Sequence, residues 1–378
     1  MKSRRNLFLF VALITATLLA ANHFASGAQN PAESQEKSRP RRSTPSPTPR
    51  PKAEDDVTLS SDEVVRVETN LTNIFFTAAD KQKRFVDNLK REDVRLLEDG
   101  VPQQIFTFQS NVDLPLSLAI LIDTSGSEER TLPEEKAAAR TFLESVLRAN
   151  KDEAAIVSFT GEVTLEQGLT GNVARLRQAV DRVEFVAPSG YVGGGVVVGG
   201  TPPISGTQQT LAGGTAIWDA IWATSNELLS ASAQHTRRAI ILLTDGEDTV
   251  SQVHMRDAIN QALKADALIY AVGIGDRYQF GVDEGSLKKL TDATGGRAYF
   301  PRNERDLRDA FAQIEKDLRE QYLIAYAPSN KSRDGSYRRV TIEIINPEVR
   351  KQSLKLNYRP GYFARAPGSE PPSTTKKP

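Results

Sequence analysis

The chain of 378 residues has no cysteine, three histidines, two methionines and two tryptophans. Without cysteine there is no disulfide framework, no thiolate metal site, no cysteine nucleophile and no thiol for a lipid anchor, so stability has to come from an apolar core. An excess of charge is missing as well: 48 Lys and Arg balance 48 Asp and Glu, which excludes a global field drawing the chain to nucleic acid or to an anionic surface. A phosphate loop is also absent. The glycines of "AVGIGDR" and "GYVGGGVVVGG" lack the Gly-Lys-Ser/Thr ending and the strand-turn-helix Gly-x-Gly-x-x-Gly context that a nucleotide needs. Of the histidines, His23 lies in the N-terminal apolar run, while His235 and His254 flank helical segments, where exposed or capping roles account for them.

What is present is ordinary globular composition, 39% hydrophobic and 25% charged. Lys2, Arg4 and Arg5 precede an uncharged run over residues 7–21, and Ser26-Gly27-Ala28 follows with small residues. That is the pattern of a signal peptide over residues 1–28, and it predicts an exported chain: periplasmic, cell-surface or secreted. The run is shorter than the roughly 20 residues of a spanning helix, so a membrane tether follows only if the signal stays uncleaved. Residues 29–57, with "SRPRRSTPSPTPRPK" inside them, have almost nothing to bury and predict a disordered Pro/Ser/Arg-rich linker. Residues 367–378 predict a disordered tail.

Two flanks have the two-residue rhythm of antiparallel strands. Residues 58–113 contain Val65, Val67, Thr69 and Leu71 on one face, then "RLLEDGVPQQIFTF", where Asp99-Gly100 signals a hairpin. Residues 320–366 contain "QYLIAYAP", "RDGSYRRVTIEIINP" and "SLKLNYRPGYFA", three further strands with a second turn at Asp334-Gly335. Neither flank has enough strands to bury a sheet alone, so together they predict a small β-sandwich-like domain assembled from both ends of the chain.

Between them, residues 114–319 change rhythm. Continuous apolar runs "LSLAILI", "AAIVSF", "AIILLT" and "ALIYAVGI" alternate with helical segments at 133–148, 173–183, 217–230, 255–265 and 306–319. Runs apolar at every position suit strands covered on both faces, which predicts an α/β, doubly wound, mainly parallel sheet of Rossmann-like architecture. Function in such sheets sits at the carboxyl ends of the strands.

Three oxygen-bearing clusters fall at such ends. Asp123, Ser125 and Ser127 follow the first central strand, Thr215 follows Gly213-Gly214 and precedes a helix, and Asp245 ends "AIILLT". A hard cation such as Mg²⁺ takes about six oxygens, and these hydroxyls and carboxylates, direct or through water, would fill most of its shell. Gly126 and Gly213-Gly214 would let the backbone bend beside them. The alternative is that Asp123 and Asp245 cap helices while the hydroxyls satisfy loop backbone.

The ordered set Asp-x-Ser-x-Ser, Thr, Asp resembles the metal-ion-dependent adhesion site of von Willebrand factor A-type domains, and the flanking strands with "RPGYFA" are similar to those of bacterial secreted proteins carrying a related domain. The resemblance implies a metal site of Asp123, Ser125, Ser127, Thr215 and Asp245 holding Mg²⁺, Mn²⁺ or Ca²⁺. It also implies a protein or peptide partner whose acidic residue completes the ion's shell, with no enzymatic role. Two other readings stand beside it: a divalent-metal-dependent extracytoplasmic hydrolase, which lacks a recognisable general base, and a scaffold whose ion is purely structural. Glu128 departs from the family, which often has an apolar residue there; it either biases the local charge or is simply exposed. The Gly-rich stretch 189–214, with Tyr191 and Val196-Val197, is expected to overhang the ion as a partner-contacting loop or a floppy insertion, and Glu247 and Asp248 are expected to form a solvated acidic rim.

Overall fold

The computed structural model describes residues 71–82, 84–110, 112–187, 214–233, 236–275 and 281–364. The expected signal, linker, tail, most of the strand beginning near Val65, and Tyr191 and Val196-Val197 of the Gly-rich stretch lie outside them. Among the described residues no helix is long and apolar enough to cross a membrane.

The first flank forms β1 (Thr72–Ala79), β2 (Val94–Glu98), β3 (Val101–Gln103) and β4 (Ile105–Gln109). The middle contributes β5 (Leu116–Asp123), α1 (Leu132–Val146), β6 (Glu153–Phe159), β7 (Val163–Thr170), α2 (Val173–Arg182), α3 (Ile217–Ala223), β8 (Arg237–Thr244), α4 (Met255–Lys264), β9 (Ala267–Gly273), α5 (Glu284–Thr294), β10 (Ala298–Tyr299) and α6 (Glu304–Arg319). The second flank adds β11 (Tyr322–Tyr326), β12 (Tyr337–Ile344), α7 (Pro347–Lys351), β13 (Lys355–Tyr358) and β14 (Gly361–Phe363).

The middle is one six-stranded sheet in the order β10-β9-β8-β5-β6-β7. Every adjacent pair is parallel except β6 and β7, whose antiparallel pairing inserts an edge hairpin that the βαβ rhythm did not announce. All eight residues of β5 are buried, as a strand covered on both faces requires. Leu118, Ile120 and Ile122 pack on one face against Phe142 and Leu143 of α1, Leu176 of α2 and Phe311 and Ile314 of α6. Ala119 and Leu121 pack on the other against Ile217 and Ile221 of α3, Ile259 and Leu263 of α4 and Leu287 of α5. The chain thus winds both ways from β5, and α3 runs on past Ala223 into a π-helical segment at Thr224–Leu229.

Strands from the two ends of the chain share two antiparallel sheets, β13-β1-β11-β4 and β14-β12-β2-β3. Their inner faces meet in a common core of Ile74, Phe76, Leu96, Ile105, Tyr322, Ile324, Val340 and Ile342, so neither flank closes without the other. Asp99 and Gly100 both have positive φ, 48° and 82°, which gives the β2–β3 hairpin the twist its strands need. The second Asp-Gly pair does something else: it precedes β12, whereas β11 before it belongs to the opposite sheet, so the turn carries the chain between sheets instead of joining paired strands. The sandwich is fixed to the α/β layer by Asn357, which donates to the Gly295 and Gly296 carbonyls at 2.8 and 2.9 Å, and by the Arg359–Asp266 ion pair.

Candidate metal centre

The end of β5 lies between the ends of β6 and β8. Thr124 donates its N–H to the Phe159 carbonyl at 2.9 Å, and the Thr244 hydroxyl donates to Asp123 Oδ2 at 2.6 Å. Asp123 Oδ1 accepts the Ser125 N–H at 2.9 Å, which folds the chain back so that the Ser125 and Ser127 hydroxyls stand 3.2 Å apart. The Ser127 hydroxyl reaches on to the Asp245 carboxylate, whose Oδ1 also accepts the Glu247 N–H at 2.9 Å. Four of the five expected residues therefore form one hydrogen-bonded group.

Thr215 is on the same edge, held by its backbone. Its N–H donates to Thr249 Oγ1 at 2.8 Å and its carbonyl accepts the Thr249 N–H at 2.9 Å, while the next residue, Ala216, donates to the Thr160 carbonyl after β6 at 2.7 Å. Asp248 completes the tie. Its Oδ1 accepts the Ile217 N–H at 2.8 Å at the start of α3, and Asp219 returns the favour by accepting from Val253 N–H at 2.8 Å. Asp248 is thus a clamp between the Thr215 and Asp245 loops, not part of a solvated rim; Glu247 is exposed as expected. The glycines act differently from expectation. Gly126 opens a 3₁₀ turn (Gly126–Glu128) outside the left-handed region, and Gly214 is needed for space, since a Cβ there would sit 2.5 Å from Val250 Cγ1.

Glu128 is where the sequence misleads most. It is 0% exposed, and one of its oxygens lies with those of Asp123 and Asp245 in a group whose members are all within 4.8 Å of one another. Behind it Glu135, in the first turn of α1, is also 0% exposed, its carboxylate set against the Glu128 carboxylate and the Thr131 hydroxyl without a well-formed hydrogen bond. Burial pushes Asp123 up to about 7, helped by the charge of Asp245. Burial likewise pushes Glu135 up to about 7, and Glu128 is driven well above the usual carboxylate range by burial and by the charge of Glu135. The donor set is all oxygen, crowded, buried and negative, which fits a hard divalent cation and leaves the carboxylates badly solvated without one. The helix-capping alternative does not describe Asp123, whose oxygens serve Ser125 and Thr244.

Comparison with protein families bears on what this edge is. One von Willebrand factor type A domain model matches residues 118–198 and a second matches residues 204–313. The chain carries a von Willebrand factor type A domain. Among solved structures it is similar to a von Willebrand factor type A protein from Catenulispora acidiphila, at 15% identity and TM-score 0.42, over 78% of this chain and 73% of that one. It is similar also to the conserved hypothetical protein BatB from Bacteroides thetaiotaomicron, at 15% identity and TM-score 0.39, over 54% of this chain and 98% of that one. A third is proximal thread matrix protein 1 from the mussel byssus, described with a zinc-occupied metal-ion-dependent adhesion-site motif, at 14% identity and TM-score 0.40, over 55% of this chain. The chain spans about half the length of that protein, 48%. Comparison with curated proteins gives no match.

In this von Willebrand factor type A domain the two acids beyond the expected set, Glu128 and Glu135, had one readable signal: a helix start so rich in acids, "SEERTLPEE", that a buried member was available. Which member turns inward depends on Thr131, whose hydroxyl, instead of capping α1, donates to Glu128 Oε2 and to the Glu128 carbonyl.

Proposed function

We propose that the chain is an exported recognition module that binds a protein or peptide partner through a divalent cation and an acidic side chain of that partner. The observation supporting it most is the convergence of Asp123, Ser125, Ser127 and Asp245 at the carboxyl ends of β5 and β8, with Thr215 clamped to the same edge. These five residues would hold Mg²⁺, Mn²⁺ or Ca²⁺. When bound, the cation supplies positive charge at a sheet edge otherwise built from neutral hydroxyls and carboxylates, and so attracts an outside carboxylate. Export is supported by the N-terminal pattern over residues 1–28. A non-catalytic role is supported by the bonding of the two serines, which engage each other and the carboxylates, and by the exposure of His254.

The test is isothermal titration of the full chain with Mg²⁺ and Mn²⁺, together with crosslinking pulldown from the native envelope with and without chelator. Asp123→Ala should lose both cation binding and chelator-sensitive capture; unchanged capture would sink the proposal. One observation favours a second reading, an ion that only ties loops together: the extra buried carboxylate of Glu128 leaves the ion less need of a partner. A melting temperature that rises with Mg²⁺, with nothing captured, would select that reading.

A further inference from the structure

We propose that Glu128 is a built-in ligand of the cation, backed by Glu135, and that a partner's acid engages the ion only by displacing it. The inference rests on the cation-dependent reading above and concerns residues outside its five-membered set.

Glu128 sits in the turn directly after Ser127. Its Oε2 is held by the Thr131 hydroxyl, and its Oε1 is buried without a hydrogen-bond partner. One of its oxygens shares the 4.8 Å group with Asp123 and Asp245, so a cation reached by those two is within reach of Glu128. Glu135 backs Glu128 from outside that group: it is fully buried, and its carboxylate lies against the Glu128 carboxylate and the Thr131 hydroxyl without a well-formed hydrogen bond to a donor. Buried acids so close together are ionised at the same time only if a cation compensates them; without one they hold protons instead. With two carboxylates a divalent ion is neutralised and still attracts an outside acid. With Glu128 as a third it is already overcompensated, so an incoming carboxylate has to exchange with Glu128 instead of adding to the shell. The result is a recognition site with an internal competitor, which lowers affinity for isolated carboxylates and favours partners offering further contacts.

The experiment uses the full chain, Mn²⁺ as probe ion and acetate as probe carboxylate. Titration gives the Mn²⁺ affinity, and the paramagnetic relaxation of the acetate methyl protons shows whether acetate reaches the bound ion. For the wild type we expect Mn²⁺ binding with little acetate relaxation. Glu128→Gln should weaken Mn²⁺ about tenfold or more while raising acetate relaxation, and Glu135→Gln should weaken Mn²⁺ less. Glu128→Gln with wild-type affinity and wild-type acetate relaxation overturns the inference while leaving the cation site intact, because Asp123→Ala still abolishes binding. A wild type that binds no Mn²⁺ overturns both the inference and the proposed function. If circular dichroism shows Glu128→Gln unfolded, Glu128→Asp, which keeps the charge but shortens the reach, decides: unchanged affinity and relaxation count against the inference, and an intermediate response supports it.

Discussion

Two regions of this molecule bury acidic side chains, and they do so in opposite ways. In the β-sandwich, Glu98 is 2% exposed and surrounded by donors: the hydroxyls of Tyr326 and Tyr362 reach Oε2 at 2.6 and 2.7 Å, and Arg338 reaches Oε1 at 3.3 Å. At the end of β5, Asp123, Glu128, Glu135 and Asp245 are buried together, and the strongest charges acting on the first three are those of other members of the group. The first arrangement is complete without help and bonds strands of the two sheets to each other. The second is incomplete and therefore able to bind. Burial of a carboxylate alone says nothing about function; what decides is whether the protein supplies the compensating donors itself.

The sharpest way to break the comparison is to remove Glu98. Glu98→Ala takes the carboxylate from Arg338, which keeps only the Asn330 and Ser332 carbonyls, and the acceptor from two tyrosine hydroxyls; it should lower stability by about 3–5 kcal/mol, by the same amount with and without Mg²⁺, in urea unfolding. A cation-dependent loss would erase the distinction between the two regions.

The next largest effect is a pH dependence at the β5 end. Asp123 and Glu135 have ordinary values of 3.8 and 4.5 and sit at about 7 in the folded chain, so the folded state holds more protons between those values. Their contribution to stability is fully present below about pH 4 and is lost as pH rises through 7, on the order of a few kcal/mol in all. Thermal melts in chelator from pH 5 to 8 should therefore show a falling melting temperature, and saturating Mg²⁺ should flatten the slope. A metal-free profile already flat over that range contradicts the crowded-acid description.

Smaller effects sharpen the contrast. Glu135→Met, replacing a buried acid crowded against Glu128 by an apolar chain of similar length, should raise metal-free stability by about 1 kcal/mol, the opposite sign to Glu98→Ala, as read by melting in chelator. Asp248→Ala removes the cap that joins α3 to the Asp245 loop; it should lower stability by about 1 kcal/mol and weaken cation binding less than Asp123→Ala, by titration.

The α/β rhythm, the pairing of the two flanks and the gathering of Asp123, Ser125, Ser127 and Asp245 were legible in the chain, because each is written in local periodicity or in residue type at a strand end. An all-apolar run such as β5 admits few solutions besides a strand covered on both faces, and two flanks each short of strands have to find each other. The edge strand β7 was not legible, since "VTLEQGLT" has no strong alternation and is held by its neighbour β6. Nor was Asp248, whose capping contacts are some thirty residues distant in sequence.

Glu128 marks the boundary most clearly. By itself the sequence determined that oxygen-bearing side chains gather after the first central strand, because strand-end chemistry follows from order along the chain. Only the tertiary structure decided that one acid of "SEER" turns inward while its neighbours stay nearer the solvent. The reason is physical: a charged side chain in a turn has no local preference for burial, and its direction is set by Thr131, by the first turn of α1 and by the end of β8, groups that meet only once the sheet has formed.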